Sequence, residues 1–135
     1  MTSKLPNLSS IDITPLLDEG TNLIISYSDG GVKINNQAVL LSKNIVITKS
    51  EISEFIDAQK DLDQNYSNNI IKAISVREES VIIIGINDEN LKDEILTKAQ
   101  FFSKPLEVMS IKAACRTYNV LISEDRDVAC ILVFG

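Results

Sequence analysis

The sequence S-V-I-I-I-G-I, residues 80–86, sets the fold of this chain together with the alternation of elements that follows it. The run is apolar and rich in β-branched residues, which is typical of a strand buried on both faces. Asp88 is placed to cap a helix, and Pro105 ends it. The predicted apolar stripe of that helix consists of Leu91, Ile95, Ala99 and Phe102.

Three further elements continue the alternation to the end of the chain. The sequence predicts a short strand at Leu106–Met109, a helix that Ser110 caps and that runs to about Ile122, and a strand at 128–134. Strands that alternate with helices pair in parallel through right-handed crossovers. The second half therefore predicts a parallel core to the sheet.

The preceding half predicts an antiparallel β-meander. Glycine and asparagine tolerate the backbone of tight turns, which places turns at Asp29-Gly30-Gly31 and at Asn35-Asn36. The predicted strands are 22–28, 32–34, 38–41 and 45–48. They add antiparallel strands to a mixed sheet.

A helix is predicted to follow the meander. Thr48 with Glu51 three residues later fits a capping box, and the predicted apolar face is Ile52, Phe55 and Ile56. The polar stretch 57–69 predicts a loop. Residues Ile70, Ile71 and Ile74 then indicate another short helix.

The domain organisation follows from length and composition. A chain of 135 residues fits one domain. Residues 1–21 contain two prolines and predict an N-terminal arm with a short edge strand at 11–15, and residues 22–135 predict one α/β domain. The expected fold class is α/β, with helices packed on a mixed sheet.

Composition excludes several kinds of function. The net charge of −6 and the absence of clustered Lys and Arg argue against a nucleic-acid partner. The chain has no histidine and two cysteines, Cys115 and Cys130, so histidine-based catalysis and a four-ligand zinc site are not expected. The sequence offers no motif for a cofactor or a metal. We also expect no transmembrane segment and a cytoplasmic location.

The segment 107–126 carries the most information about function. Its sequence is E-V-M-S-I-K-A-A-C-R-T-Y-N-V-L-I-S-E-D-R. On the predicted helix, Ala114, Tyr118, Leu121 and Ile122 form an apolar face, and Arg116, Asn119 and Ser123 fall on another. The polar face is either a binding surface or an ordinary solvated face.

This segment resembles the signature of a widespread family of small Mth-type α/β proteins, which includes an assembly factor of mitochondrial complex I and an adipogenesis-associated protein. The pattern is roughly E-V-M-x-T-x-A-A-C-R-T-Y-N-x-L-x-x-E-x-R-x-V-A-A. Matching residues are 107–109, 113–119, Leu121, Glu124, Arg126, Val128 and Ala129. The stretch 25–35 and the strand that ends at Gly85 are also similar, so that the resemblance covers most of residues 22–134.

The resemblance implies a three-layer fold with a mixed central sheet of about five strands, in a bacterial member of the family. It implies no established enzymatic activity, and a role as an accessory factor in assembling a respiratory membrane complex. The family often has Gly-Thr-Gly after the strand that ends at Gly85, whereas this chain has Gly85-Ile86-Asn87. This difference weakens any anion-binding role for that loop.

Two hypotheses for function remain open. In the first, the chain is a non-catalytic accessory or assembly factor that binds a protein partner, with a possible peripheral association with a membrane complex. The predicted binding surface is Cys115, Arg116, Thr117, Tyr118, Asn119, Glu124 and Arg126. Alternatively, Arg116 and Glu124, or Arg126 and a neighbouring acid, form a structural ion pair.

In the second hypothesis, the chain binds a small molecule or is an enzyme of unknown reaction with a site around Cys115-Arg116. A neighbouring arginine and a position early in a helix both lower the pKa of a thiol. Tyr118 is then a candidate proton donor. The alternative for Cys115 is a small buried residue of the core.

Overall fold

The computed structural model describes residues 9–10, 20–28, 30–35, 41, 43–55, 66–100, 102 and 105–134. Its strands are β1 (Ser9–Ser10), β2 (Ile24–Ser28), β3 (Gly31–Ile34), β4 (Ile45–Ile47), β5 (Ile52–Glu54), β6 (Val81–Ile86), β7 (Leu106–Met109) and β8 (Val128–Val133). Its helices are α1 (Tyr66–Ser75), α2 (Glu89–Ala99) and α3 (Ile111–Ser123).

The strands form two sheets. A central five-stranded sheet has the order β5-β4-β8-β6-β7, and a smaller antiparallel sheet has the order β1-β2-β3. In the central sheet, β6 pairs in parallel with β7 and β8, whereas β4 pairs antiparallel with β5 and β8. The mixed five-stranded sheet expected from the resemblance is confirmed.

Strands β6 and β8 of the central sheet are buried on both faces, as predicted for residues 81–86. Alternate residues point to opposite sides of a strand, so each strand contributes to two cores. Ile83, Cys130 and Leu132 lie in the core shared with α3 and the small sheet. Ile82 and Ile131 lie in the core shared with α1 and α2. Helices therefore cover both faces of the central sheet.

The predicted helix starts in the second half are confirmed. The Asp88 carboxylate accepts a hydrogen bond from the backbone N–H of Leu91 at 3.0 Å. The Ser110 hydroxyl accepts one from the N–H of Ala113 at 3.2 Å. These contacts satisfy amides that have no partner within the helix. The short helix predicted around Ile70 is also present, and it begins at Tyr66, inside the stretch predicted as a loop.

The helix predicted to begin at Thr48 is wrong, because the chain forms the β4–β5 hairpin there. The Thr48 hydroxyl does accept a hydrogen bond from the N–H of Glu51 at 3.1 Å, as a capping box requires. The Thr48 N–H also donates to the Glu51 carbonyl at 2.9 Å, and this bond closes a turn instead of starting a helix. Residues 52–54 then pair with β4.

The meander was also predicted to extend through residues 45–48, and this prediction is wrong. Ile45 and Ile47 pair with Leu132 and Cys130 of β8, so β4 belongs to the central sheet. The β2–β3 hairpin is confirmed as antiparallel. Pairing with the C-terminal strand is a long-range contact that local turn chemistry does not encode.

Several predictions fall outside the described residues. These are the edge strand at 11–15, the turn residues Asp29 and Asn36, residues 38–40 of the third meander strand, Ile56 of the predicted apolar face and the loop residues 57–65. Leu41, which is described, forms an isolated antiparallel bridge with Val32. In the arm, Ser9–Ser10 pairs with β2.

Gly85 permits α3 to lie close against β6. A Cβ atom at this position would lie 2.8 Å from the Ala114 Cβ, 2.8 Å from a Leu132 methyl carbon and 3.1 Å from the Ile111 Cα. Carbon atoms do not approach so closely without displacement. The small Ala114 side chain in the helix and the absence of a side chain at Gly85 in the strand therefore set the spacing between these layers.

Gly85→Ala is expected to lower the free energy of unfolding by about 1–3 kcal/mol, because the added methyl overpacks this contact. Urea denaturation followed by circular dichroism measures the loss. Gly30→Ala is the matched control, since a Cβ there has nothing within 4 Å. An equal loss in both variants would contradict close packing at Gly85.

Candidate functional site

The structure divides the predicted site residues between the inside and the outside of the protein. Cys115, Tyr118 and Asn119 are buried, with exposed fractions of 0%, 0% and 7%. Thr117 is half-buried, and the exposed members are Arg116, Glu124 and Arg126. The first three residues contact the interior, so only the other four are accessible to a partner.

The Asn119 side chain acts as a substitute for a neighbouring strand. Its amide oxygen accepts a hydrogen bond from the Ile24 N–H at 3.0 Å, and its amide nitrogen donates to the Ile24 carbonyl at 2.7 Å. Both bonds are buried, and they join α3 to β2 across 95 positions of sequence. A side chain expected on the solvent-facing side of the helix thus has a structural role.

Tyr118 makes a hydrogen bond to Asn22, two positions before Ile24. Its hydroxyl donates to the Asn22 carbonyl at 2.8 Å. Asn22 in turn donates from its backbone N–H to the Lys49 carbonyl at 2.9 Å and from its side chain to the Thr48 carbonyl at 3.1 Å. One short segment therefore connects α3, the small sheet and the β4–β5 turn.

Of the two hypotheses for Cys115, the structure supports the small buried residue of the core and not the thiol of lowered pKa. Burial raises the pKa of the Cys115 thiol to about 12. The neighbouring Arg116 side chain points outward and contacts the Tyr27 hydroxyl at 3.5 Å, so it lies on the exposed side of the helix. Burial, and then the nearby Cys130, raise the pKa of Tyr118 as well. The folded protein therefore presents neither a Cys115 thiolate nor a Tyr118 proton donor to solvent.

The exposed side of α3 combines positive charge with one apolar side chain. Lys112 and Arg116 are exposed, and Val120 is 53% exposed. The three residues are four apart, which places them along one line on the helix. Among the ion pairs of the described residues, none involves Lys112 or Arg116.

The end of α3 brings two signature residues to the surface. Asp125 has a left-handed backbone with φ of 59°, and the N–H of Arg126 donates to the Leu121 carbonyl at 2.9 Å. This arrangement is a Schellman motif, in which glycine is the usual left-handed residue. Arg126 pairs with Glu124 at 3.9 Å, with both side chains about half exposed. The structural ion pair considered for Arg126 is therefore present, although exposed pairs of this length contribute little to stability.

A cleft of about 290 Å³ lies beside this loop. We refer to it as the α3-loop cleft, and its lining consists of Thr48, Lys49, Ser50, Glu79, Asp125, Arg126, Asp127 and Val128. The residues come from the β4–β5 turn, from the segment before β6 and from the α3–β8 loop. Sequence reasoning identified Arg126 alone, because no local pattern indicates that the turn at 48–51 meets residues 125–128.

The ends of α2 and α3 that could bind an anion are occupied by the chain's own side chains. The Asn87 side-chain oxygen accepts a hydrogen bond from the Ile111 N–H at 3.0 Å, in addition to the caps by Asp88 and Ser110. Asn87 lies at the position where the resemblance to the family implies a glycine. Three of the backbone amides at these helix starts, those of Leu91, Ile111 and Ala113, thus already have acceptors.

In the part of the chain that the structure describes, no group of three or more His, Cys, Asp or Glu side chains is placed to hold a metal ion. Across the same residues, no helix combines the length and the apolar character that crossing a membrane requires.

Fold and site together define a small α/β domain with a mixed central sheet, an accessory antiparallel sheet and a signature helix that faces both the core and the surface. The chain belongs to the DUF498/DUF598 family, described as proteins of unknown function, whose sequence profile matches residues 24–133. The family resemblance noted from the sequence is thereby confirmed.

Two named proteins are similar in sequence to this chain. One, from Drosophila melanogaster, is named NADH dehydrogenase [ubiquinone] 1 alpha subcomplex assembly factor 3 and is 28% identical over 115 residues, which cover 82% of this chain and 58% of the relative. This chain thus spans less than two thirds of that protein. A 13 kDa major membrane protein of Francisella tularensis is 26% identical over 91 residues, covering 66% of this chain and 73% of that protein.

Solved structures confirm the fold. An NMR structure from Xanthomonas campestris matches with a TM-score of 0.56 and 24% identity, covering 90% of this chain and 93% of that one. A Bordetella pertussis protein described as a Mth938-like domain matches with a TM-score of 0.56 and 18% identity, covering 93% and 94%. At these identities the likeness concerns the fold alone.

Asn119→Ala is expected to lower the free energy of unfolding by about 2–4 kcal/mol, because two buried backbone groups of Ile24 lose their partners. Urea denaturation measures the loss, and hydrogen exchange should show faster exchange of the Ile24 amide. Ser123→Ala, on the exposed side of the same helix, is the control and should change stability by less than about 0.5 kcal/mol. A similar small effect in both variants would show that Asn119 is not a structural clamp.

The two thiols are expected to be unreactive in the folded protein, since both are fully buried. At pH 8 a thiol of pKa about 12 is thiolate in only about one molecule in ten thousand. Ellman's reagent should label both cysteines quickly in guanidinium chloride and at less than about 1% of that rate in buffer. Rapid labelling of Cys115 in buffer would restore the nucleophile hypothesis, and Cys115→Ala identifies which thiol reacts.

Proposed function

We propose that this protein is an accessory or assembly factor that binds a protein partner through the exposed side of its signature helix. Its surface consists of Arg116, Thr117, Glu124 and Arg126, with the adjacent Val120. The assembly role is supported by the similarity to the Drosophila assembly factor, of which this chain spans 58%. The proposal includes a peripheral association with a respiratory membrane complex, made from the cytoplasmic side.

One observation favours binding over a merely solvated face: positive charge stands where the helix itself disfavours it. Lys112 is the second residue of α3, and cations near a helix N-terminus oppose the helix dipole. The unfavourable interaction amounts to about 0.3–1 kcal/mol at an exposed site. Among the described residues no carboxylate pairs with Lys112 or Arg116 to offset it. A partner carrying negative charge would offset it on binding.

Val120 adds an apolar contact to this charged line. It is 53% exposed, whereas Leu91 and Leu121 of the helices pack against the two cores. An exposed apolar side chain next to arginine is a common composition for the centre of a protein interface. The small-molecule or enzyme hypothesis at Cys115-Arg116 has no comparable support, because Cys115 is fully buried.

Val120→Asp and Arg116→Glu are each expected to reduce partner recovery at least about ten-fold in affinity purification of the tagged full-length protein from its native cells. Subunits of a respiratory complex are the expected co-eluting proteins. Val76→Asp is the matched control, because Val76 is 69% exposed at the end of α1, away from this face. It should leave recovery unchanged.

A different set of results would overturn the proposal. The protein would then recover no partner, would elute as a monomer in size-exclusion chromatography, and its deletion would leave respiratory-complex assembly normal. Equal loss of recovery in Val76→Asp would show that added charge, and not the α3 face, affects binding. Circular dichroism of each variant verifies that it is folded.

A further inference from the structure

The exposed side of α2 carries the opposite charge to the exposed side of α3. Glu89, Asp93 and Leu96 stand at spacings of four and three residues, which places them along one line on the helix. All three side chains are exposed, and Leu96 is 45% exposed. Among the ion pairs of the described residues, none involves Glu89 or Asp93. We refer to these three residues as the α2 line.

The α2 line matches the α3 line, which consists of Lys112, Arg116 and Val120. In both lines two charged residues are followed by an apolar one, and the charges are of opposite sign. The charged residues are four apart, or about 6 Å along each helix, and the apolar residue lies about 10 Å beyond the first charge in α2 and about 12 Å in α3. Val120 and Leu96 are two of the three large apolar side chains that are exposed within the described residues.

The charge balance of each helix supports this match. α3 contains two cations and no acidic residue. Residues 88–94, at the start of α2, contain four acids and one lysine, so their net charge is −3. The Asp88 carboxylate caps the helix, and Glu94 accepts a hydrogen bond from the Ser67 hydroxyl at 2.9 Å. The two carboxylates of the α2 line are the ones left for a contact outside the molecule.

The topology of the central sheet orients the two helices alike. α2 connects β6 to β7 and α3 connects β7 to β8, and β6 pairs in parallel with both other strands. Each helix therefore runs from the carboxyl end of the parallel strands back to their amino end. The helices lie on opposite faces of the sheet, because the two connections run in opposite directions along it. Molecules stacked face to face by translation thus place α2 of one parallel to α3 of the next.

We propose that the α2 line of one molecule binds the α3 line of a second copy of this chain, so that the molecules stack head to tail. Glu89 and Asp93 pair with Lys112 and Arg116, and the two apolar side chains meet beyond them. Glu89 is the first residue of α2 and Lys112 the second of α3, so the charged ends are level in a parallel contact. The two lines lie on opposite faces of the molecule, so the contact does not close into a two-fold dimer and open chains form.

This contact goes beyond the proposed function and does not depend on a respiratory partner. It occupies the side of α3 that the proposed function assigns to that partner, so a second copy and the partner compete for one surface. The contact between two exposed helix lines is small, which makes self-association weak and easily displaced. At high protein concentration the second copy then covers α3 until a partner replaces it.

Sedimentation velocity of the full-length protein between about 10 μM and about 1 mM tests the stack, because small interfaces form weak complexes. The average mass should rise past that of a dimer as concentration increases. Arg116→Glu and Asp93→Arg should each weaken self-association at least about ten-fold, since each places like charges opposite one another. Both positions lie inside their helices, away from the caps.

An equimolar mixture of the Arg116→Glu and Asp93→Arg proteins tests whether these two positions meet. The introduced arginine of one variant then faces the introduced glutamate of the other, and the original pair forms at the next contact of the chain. The mixture should associate within about three-fold of the unchanged protein, as expected when two changes couple directly. A general effect of charge on association would leave the mixture as weak as each variant alone.

Glu78→Arg is the matched control for charge reversal. Glu78 is an exposed acid between α1 and β6, outside both lines, and takes part in none of the ion pairs of the described residues. This variant should self-associate as the unchanged protein does. Circular dichroism verifies that each variant is folded.

Four results would overturn the proposal. A monomer up to about 1 mM would exclude self-association of the strength expected for so small a contact. A mass that stops at the dimer would exclude the open stack. Equal weakening by Glu78→Arg, or a mixture no stronger than its components, would exclude the contact between the α2 line and the α3 line.

Asp93→Arg separates this inference from the proposed function, because it changes α2 and leaves the α3 face intact. It should lose self-association while recovering at least as much respiratory partner as the unchanged protein. Self-association without any recovered partner would leave the stack and overturn the proposed function. A recovered partner with a protein that stays monomeric would overturn the stack and leave the proposed function.

Discussion

The pair of hydrogen bonds between the Asn119 side chain and the backbone of Ile24 joins α3 to β2 across 95 positions of sequence. An amide is the one neutral side-chain group that offers a donor and an acceptor in the arrangement that a strand presents. In the buried gap between α3 and β2, an apolar residue would leave two backbone groups without partners. Tyr118 adds a third buried hydrogen bond one residue earlier in the helix. The small sheet is therefore attached through polar contacts as well as through packing.

This attachment depends on how closely α3 lies against the central sheet. Gly85 removes a side chain from β6, and Ala114 presents only a methyl group opposite it. The helix can then place its small face on the sheet while its Asn119 side chain reaches the second sheet. The alanines, cysteine, tyrosine and asparagine of the signature are thus explained by packing and hydrogen bonding.

The residues available for binding a partner are those that take no part in the cores or in buried hydrogen bonds. The outer line of α3 and the loop after it carry exposed charge, one exposed valine and a cleft whose cations are only loosely paired. Under the proposed function, this surface contacts a partner that carries negative charge and offers an apolar contact. The buried cysteine and tyrosine, by contrast, lie in surroundings that favour their neutral forms.

The sequence by itself determined the elements whose signals are local. The buried strand 81–86, the caps Asp88 and Ser110, and the helices they begin depend on periodicity and on contacts within four residues. Only the tertiary structure decided the rest. The bond between Thr48 and Glu51 suits a helix start or a hairpin turn, and pairing with β8 selects the hairpin. Asn119 is polar, so its pattern placed it outside, whereas a backbone segment 95 positions away buries it. The α3-loop cleft likewise joins three distant segments, and the free energy that brings them together comes from long-range packing that no local pattern records.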